Sequence, residues 1–207
     1  VYIGDPINAV KIFNEKEVDE LIFLDIDATK DKKEPPLELI RKLASECFMP
    51  FAYGGGIVST SQIEEIIKSG AEKIIINTSA FQKKDFISEA VKRFGSSTIV
   101  VSMDVKKRFT GGVSVYVSGG RIDTGKNPVE YAKMMEEQGA GEIFLNSIDR
   151  DGTMTGYDLA LIRSVSDAVR VPVIACGGAG SITDVKLAVT EGGASAAAAG
   201  SLFVFHG

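Results

Sequence analysis

The stretch ELIFLDID at residues 20–27 returns 122 residues later as EIFLNSID at residues 142–149. The same shift places Gly55-Gly56 on Gly177-Gly178 without a gap between the two matches. Both stretches are short and apolar, and each belongs to a series of strand-like segments that alternate with helical patterns. The chain is therefore a tandem repeat of two similar halves.

Seven short segments have the composition of parallel strands that are buried on both faces. The patterns between them carry helix start signals; residues 59–62, for example, have the form of a capping box. Between Gly112 and Gly120 valines alternate with other residues, which predicts a small hairpin after the fourth strand. The predicted strands are Leu21–Ile26, Phe51–Tyr53, Lys73–Asn77, Thr98–Asp104, Glu142–Ile148, Val173–Cys176 and Ala196–Gly200.

Alternating strands and helices leave two α/β architectures, an open doubly wound sheet and a (βα)8 TIM barrel. The repeat favours the barrel, because two half-barrels close around a pseudo-twofold axis, whereas an open sheet has no reason to repeat. We therefore predict one (βα)8 barrel domain over residues 1–207. Since the chain opens on a helix and shows seven parallel strands, we expect it to lack the barrel's first strand and last helix.

Composition and charge exclude several functional classes. With 44% hydrophobic residues the chain is globular, and a net charge of -5 argues against binding to nucleic acid. Apolar runs stay well below the ~20 residues of a membrane span, and we expect a cytoplasmic protein with no membrane partner. Cys47 and Cys176 lie far from each other and from the single His, so we expect neither a metal nor an organic cofactor.

Carboxylates near the carboxyl ends of strands are the candidate catalytic groups, because those ends surround the active site of a barrel. Asp104 closes an apolar strand, so burial should raise its pKa and suit it to acid–base catalysis. Neutralisation by Lys106 or Lys107 is the structural alternative. Asp151 is either a second acid–base group or part of a turn that its own ion pair with Arg150 stabilises.

Two sets of small residues related by the repeat follow other strands. Gly56 with Asn77-Thr78 forms the first set, and Gly178 with Gly200-Ser201 forms the second. Glycine lets a backbone approach an anion, and helix N-termini favour negative charge, so the sets predict two phosphate sites across the barrel mouth. Tight turns alone are the alternative. The predicted substrate-binding residues are Asp25, Gly56, Asn77, Thr78, Ser118, Asn146, Gly152, Cys176, Gly177, Gly178, Gly200 and Ser201.

Charged residues also stand at the opposite ends of three strands. Glu20, Lys73 and Glu142 each begin a strand, so a barrel would bring them together at its bottom. A Glu–Lys–Glu ring there is either a stabilising feature or a gate on the barrel axis. The lysine-rich stretch from Thr29 to Glu34 is expected to be a solvated, mobile loop.

Six motifs distributed over essentially the whole chain carry a specific resemblance. They are Gly4-Asp5-Pro6, DELIFLDI at 19–26, GGGI at 54–57, GAGEI at 139–143, SIDRDGT at 147–153 and GGAG at 177–180. In these motifs the chain resembles the cyclase subunit of imidazole glycerol phosphate synthase. A sister family, the phosphoribosyl-formimino isomerases of histidine synthesis, shares the barrel and the repeat, but the SIDRDGT run is more similar to the cyclase.

The resemblance implies a function. Members of this family take ammonia from a partner glutaminase, with which they form a heterodimer, and conduct it along the barrel axis. The ammonia attacks an aminoimidazole carboxamide ribonucleotide with a phosphate at each end, which gives imidazole glycerol phosphate and an aminoimidazole carboxamide ribotide. Two aspartates catalyse the reaction; one matches Asp104, and the other lies on the first strand, outside this sequence. Glu20, Lys73 and Glu142 match three members of the family's ammonia gate.

Two positions depart from the family pattern, and they imply an alternative function. Asn146 and Cys176 stand where related cyclases usually carry Thr and Ser. The segments at residues 4–10 and 24–29 are also similar to a divergent branch associated with surface-polysaccharide synthesis. The alternative is therefore a non-catalytic barrel that pairs with a glutaminase and conducts ammonia to a sugar amidotransferase.

Overall fold

Strands and helices alternate along the chain in a computed structural model that describes residues 5–109 and 111–205. The strands are β1 Leu21–Leu24, β2 Phe51–Gly54, β3 Lys73–Ile76, β4 Ile99–Lys107, β5 Val113–Val117, β6 Ile122–Asp123, β7 Glu142–Ser147, β8 Val173–Cys176 and β9 Ala196–Ala197. The helices are α1 Pro6–Glu15, α2 Ala28–Asp31, α3 Leu37–Glu46, α4 Thr60–Lys68, α5 Thr78–Gln82, α6 Phe86–Phe94, α7 Pro128–Glu137, α8 Leu159–Ser166, α9 Ile182–Thr190 and α10 Ser201–Phe205, with a 3-10 turn at Ser96–Thr98.

Seven of these strands form one parallel sheet in the order β1-β2-β3-β4-β7-β8-β9. All seven predicted strands are present, and helices separate them in the chain as expected. The observed β1 ends two residues earlier than predicted, at Leu24, because the chain turns there into α2. Among the described residues β1 and β9 do not pair with each other, so the parallel sheet has two outer strands.

The predicted hairpin is present and lengthens the strand before it. β4 runs three residues past Asp104 to Lys107 because β5 pairs with its end in antiparallel fashion, and β6 pairs in turn with β5. Tyr116 of β5 lies opposite Asp104. The turn of the hairpin contains Ser118, which has a φ of 57°, a left-handed conformation that is uncommon outside glycine.

The sheet is curled, as the contacts of Lys73 show. Lys73 begins β3, yet its Nζ lies 2.7 Å from an oxygen of Glu20 beside β1 and 2.8 Å from one of Glu142 on β7. Each partner is two strands away in the sheet order. Side chains of alternate strands meet in this way when a sheet closes around an interior, which is the geometry of a TIM barrel.

Inward-facing residues of each strand alternate with outward-facing ones, so the interior is built in layers. The bottom layer is the charged cluster of Glu20, Lys73 and Glu142. Two residues further along each strand the interior is apolar, and two further still it becomes polar. The apolar layer consists of Ala52, Ile75, Val100, Phe144 and Ile174, with Ile22, Cys176 and Ala198 packed against it.

A second, larger core lies between the outside of the sheet and the helices. Tyr53, Ile63, Ile99 and Tyr131 are among its fully buried side chains. Helix α4 shows why the sequence folds in this way, because it presents Ile63 and Ile66 to the sheet. Half of the predicted capping box is present, because Ser59 Oγ accepts a hydrogen bond from the Gln62 N–H. The return bond is shifted by one residue: Gln62 Oε1 accepts from the Val58 N–H and not from that of Ser59.

Gly141, directly before β7, tests this packing. A Cβ atom at this position would lie 2.1 Å from the carbonyl oxygen of Ser96, and neither backbone can yield easily. We expect Gly141→Ala to lower the free energy of unfolding by about 2–3 kcal/mol, measured by urea denaturation. Gly200→Ala is the matched control, because a Cβ there meets no atom within 4 Å, and it should cost less than about 1 kcal/mol. Equal losses in the two variants would contradict this packing.

Candidate active site

The carboxyl ends of the strands open into a cavity of about 760 Å³. Asp104, Asn77 and Asn146 lie in its wall above the apolar layer, whose Ile75 and Phe144 also contact it. Nine predicted site residues line this cavity: Asp25, Gly56, Asn77, Thr78, Asp104, Ser118, Asn146, Asp151 and Cys176.

A small recess of about 20 Å³ adjoins the main cavity. Asp151 and Cys176 line both spaces, so the two are neighbours with a shared wall. The recess brings together the remaining predicted substrate-binding residues, which are Gly152, Gly177, Gly178, Gly200 and Ser201. The two repeat-related sets therefore line adjoining spaces at one end of the barrel.

Asp104 is held between two amide side chains. The Nδ2 of Asn146 donates to its Oδ1 at 3.0 Å, and the Nδ2 of Asn77 donates to its Oδ2 at 3.3 Å. Burial raises the pKa of Asp104 above its ordinary value and the charge of Asp151 adds to this, while the two amides oppose it. Lys106, one of the two predicted neutralising partners, instead places its Nζ 5.9 Å from the centre of the Tyr116 ring.

The loop after β7 leaves Asp151 on the cavity wall. Arg150 turns away from it: one guanidinium nitrogen donates to the Gly156 carbonyl at 2.9 Å, and another lies 3.9 Å from Asp158. Asp149 accepts a hydrogen bond from the Lys107 N–H at 2.8 Å. The ion pair between Asp151 and Arg150, which was the structural alternative for this loop, is therefore not the arrangement observed.

Packing explains Gly56 and Gly178 first. A Cβ at Gly56 would lie 2.6 Å from the Lys33 carbonyl oxygen, and one at Gly178 would lie 2.3 Å from that of Gly156. Both glycines have positive φ angles, 66° and 108°. Turn geometry thus accounts for these two glycines but not for Gly200, where a Cβ would meet no atom within 4 Å. Any anion site must depend on the N–H groups and hydroxyls of Thr78 and Ser201.

The stretch from Thr29 to Glu34 is more ordered than the predicted mobile loop. Residues 28–31 form the short helix α2, whose first N–H, that of Ala28, donates to the Asp25 carboxylate at 3.1 Å. Lys32 and Lys33 then line the main cavity, close to Gly56. Sequence reasoning missed these two lysines; the available signal was a cationic pair shortly after a strand that ends in a cavity carboxylate.

Asp27 lies two residues after the cavity carboxylate Asp25, and it is exposed. It stands at the start of α2, and its side chain makes no capping hydrogen bond there. Asp25 is therefore the member of this pair that faces the cavity.

Hydrogen bonds also join the hairpin to the cavity wall. The Ser118 N–H donates to Thr78 Oγ1 at 3.0 Å, and the Thr78 hydroxyl donates to Asn77 Oδ1 at 3.2 Å. Asn77 in turn contacts Asp104 and the Ser102 carbonyl. Sequence reasoning placed these residues at one end of the barrel but did not link them.

The thiol of Cys176 is a neutral group, and Cys176 lines both the main cavity and the recess. Burial, together with the charge of Asp151, raises the pKa of its thiol to about 12, so the thiol stays protonated near neutral pH. Its neighbour in the sheet is Asn146, whose Oδ1 is buried and has no hydrogen-bond partner among the described residues. An incoming donor group is the natural partner for that oxygen.

The charged cluster lies at the other end of the barrel. Burial alone would lower the pKa of Lys73, but its hydrogen bonds with Glu142 and Glu20 raise the pKa above its ordinary value, so the amine stays charged. The three residues that the sequence predicts to meet are therefore in contact. The apolar layer lies between them and the cavity.

Metal-binding clusters and membrane-spanning helices are both absent from the residues that the structure describes. No group of three or more His, Cys, Asp or Glu side chains in residues 5–109 and 111–205 could hold a metal ion. No helix within the same ranges has the length and apolar character needed to cross a membrane.

Comparison with known proteins places this chain in a family. A protein of Pseudomonas aeruginosa with the provisional name imidazole glycerol phosphate synthase subunit hisF2 is 54% identical over 206 residues, which are 100% of this chain and 82% of that protein. Imidazole glycerol phosphate synthase subunit HisF of Alkaliphilus metalliredigens is 44% identical over 203 residues, 98% of this chain and 81% of the relative. The family described as histidine biosynthesis protein matches residues 1–207. The chain belongs to the histidine biosynthesis protein family.

Proposed function

We propose that this chain is the cyclase subunit of an imidazole glycerol phosphate synthase. The observation that carries the proposal is the position of Asp104: a carboxyl group with a raised pKa, fixed by two amides, in a cavity that adjoins both glycine-containing sets. The subunit names of the relatives from P. aeruginosa and A. metalliredigens support the same function.

The substrate in this proposal is an aminoimidazole carboxamide ribonucleotide with a phosphate at each end. One phosphate binds at Gly56, Thr78 and Ser118 in the main cavity, where Lys32 supplies positive charge. Lys33 also lines the cavity, but its ammonium lies 2.8 Å from the Asp31 carboxylate and would have to leave that pair to contact the phosphate. The other binds in the recess, at Gly178 and Ser201. The middle of the ligand then spans the shared wall, beside Cys176 and Asp151.

Asp104 is the general acid–base residue of the proposed reaction, and Asp151 assists it. A carboxyl group with a raised pKa can hold a proton nearer to neutral pH and deliver it to a leaving nitrogen or oxygen. Asp151 lies on the wall of the same cavity and increases the raised pKa of Asp104 through its charge. The reaction adds ammonia to the substrate with loss of one water and closes the imidazole ring. The carbon–nitrogen bond between the new ring and the aminoimidazole carboxamide ribotide breaks, and the ribotide leaves with a proton on its nitrogen.

Ammonia enters from the opposite end of the barrel in this proposal. The Glu20–Lys73–Glu142 cluster marks the entrance, and the apolar layer above it suits a small neutral molecule better than an ion. A glutaminase subunit docked at this end would supply the ammonia and complete a heterodimer.

Replacing Asp104 with Asn tests the proposal directly. The wild-type protein with ammonium salt should convert the bis-phosphorylated ribonucleotide to imidazole glycerol phosphate, and Asp104→Asn should lower kcat by about 100-fold or more. Asp27→Asn is the control, because Asp27 is exposed and does not line the cavity. Turnover by Asp104→Asn that equals the control would remove the catalytic assignment.

The same variant makes a prediction about stability and pH. Because folding raises the pKa of Asp104, the folded state loses stability as pH rises through that pKa. Asp104→Asn should therefore be more stable than wild type at pH 8, and the difference should shrink as pH falls toward 4. Urea denaturation at several pH values measures this; a difference that grows on acidification would contradict the raised pKa.

Lys73→Met tests the entrance. Glutamine-driven turnover with a bound glutaminase should fall several-fold, because two carboxylates would face each other without their cation. Turnover driven by ammonium salt, in which ammonia also reaches the cavity from its open end, should change much less. Lys68→Met is the control, because it removes an exposed pair with Glu64. Equal losses with both nitrogen sources would exclude a role at the entrance.

A second candidate function is a barrel that conducts ammonia to a sugar amidotransferase without turning over the ribonucleotide. Two groups favour it: the buried Oδ1 of Asn146, where related cyclases usually carry Thr, and the neutral thiol of Cys176, where they usually carry Ser. In that case the purified protein would bind a glutaminase and pass ammonia but leave the ribonucleotide unchanged. Cyclisation of the ribonucleotide with ammonium salt decides between the two functions.

A further inference from the structure

A chain of hydrogen bonds runs from the hairpin to the carboxylate of Asp104. The Ser118 N–H donates to Thr78 Oγ1 at 3.0 Å, Thr78 Oγ1 donates to Asn77 Oδ1 at 3.2 Å, and Asn77 Nδ2 donates to Asp104 Oδ2 at 3.3 Å. The four residues come from three parts of the fold: the turn after β5, the start of α5 and β4. All four line the main cavity.

The hydroxyl of Thr78 determines how this series of hydrogen bonds responds to an anion. A hydroxyl has one proton to donate, and here that proton goes to Asn77 Oδ1. An anion that binds beside Thr78 needs the same proton, and it would also attract the Ser118 N–H, which Thr78 accepts in the observed arrangement. Binding the anion therefore breaks the link between Thr78 and Asn77.

We propose that Thr78 and Asn77 are positioning residues that transmit the binding of an anion at Gly56 to the carboxylate of Asp104. This inference rests on the proposed function in two respects, the anion site at Gly56 and the catalytic role of Asp104. The hydrogen bonds themselves are independent of that role. Neither residue transfers a proton to substrate in this scheme; each acts through the orientation and polarisation of the next group.

The hydrogen bond that Asp104 receives from Asn77 determines whether anion binding favours the protonated or the ionised carboxyl group. Without the Thr78 proton, the Asn77 amide is less polarised and less constrained, so it donates less strongly to Asp104 Oδ2. The negative charge of the anion acts in the same sense. Both changes favour the protonated carboxyl, so occupation of the first set would prepare Asp104 to donate a proton.

Other groups around Asp104 also influence its titration. Asp151 and Cys176 are the nearest titratable neighbours, and the charge of Asp151 already favours protonation. Tyr116 lies opposite Asp104 on β5, with Lys106 over its ring. Asp25, Lys32, Lys33 and Glu34 line the same cavity. The test therefore compares variants in which all of these groups are retained.

Inorganic phosphate is the probe, and the carboxyl carbon resonance of Asp104, recorded across a pH titration, is the readout. We expect saturating phosphate to raise the apparent pKa of Asp104 in the wild type by about 0.5–1. In Thr78→Val, which keeps the side-chain shape but removes the hydroxyl, at least half of this rise should disappear at saturating phosphate. The remainder is the direct effect of the anion's charge.

Two further variants serve as controls. Thr78→Ser should restore the wild-type rise because it restores the hydroxyl. Ser118→Gly should keep the rise, because the backbone N–H makes the contact and glycine accepts the positive φ angle of this residue. Far-UV circular dichroism of each variant establishes that it is folded.

An equal rise in Thr78→Val and wild type at saturating phosphate would overturn the inference, since the anion would then act through its charge alone. The absence of any rise in the wild type would overturn it as well. Neither result depends on turnover, so the proposed function can fail while the hydrogen-bond chain holds, or hold while the chain fails.

Discussion

The twofold period of strand side chains, in a sheet curled around an interior, is the constraint on which the rest of this molecule depends. Every second residue of each strand faces inward, so positions along a strand become levels along the barrel axis. On β3 the series is Lys73, Ile75 and then Asn77, and on β7 it is Glu142, Phe144 and Asn146. One rule thus builds a charged entrance, an apolar middle and a polar cavity.

This layering partly buries two ionisable side chains, Lys73 and Asp104, which therefore need polar partners inside the barrel. Each is satisfied by side chains from neighbouring or alternate strands. Lys73 bridges two carboxylates, whereas Asp104 receives two neutral amides. The first arrangement keeps the amine charged. The second leaves the carboxyl group with a raised pKa, because neutral donors offset burial less than a cation would.

Much of this architecture could be predicted from the sequence, because periodicity and the internal repeat are global signals. The seven strands, the hairpin and the convergence of Glu20, Lys73 and Glu142 follow from residue spacing alone. The roles of the predicted catalytic and phosphate-binding residues stay predictions, although the structure places them around two adjoining spaces.

The features that could not be predicted depend on short-range geometry. Lys32 and Lys33 reach the cavity because α2 folds its chain over Gly56, and a cationic pair after a strand does not by itself fix that direction. The link from Thr78 through Asn77 to Asp104 depends on rotamers and on distances near 3 Å. The spacing of residues along the strands predicts that they lie at one level of the barrel, but it does not predict which hydrogen bonds they form.

The central claim is that the two repeat-related sets serve a single ligand across their shared wall. Isothermal titration calorimetry with the bis-phosphorylated ribonucleotide and with ribose 5-phosphate tests it most directly. We predict one ribonucleotide per chain, bound at least about 100-fold more tightly than ribose 5-phosphate, because two linked phosphates engage both sets at once. Two ribonucleotides per chain, or an affinity no better than that of ribose 5-phosphate, would contradict the account.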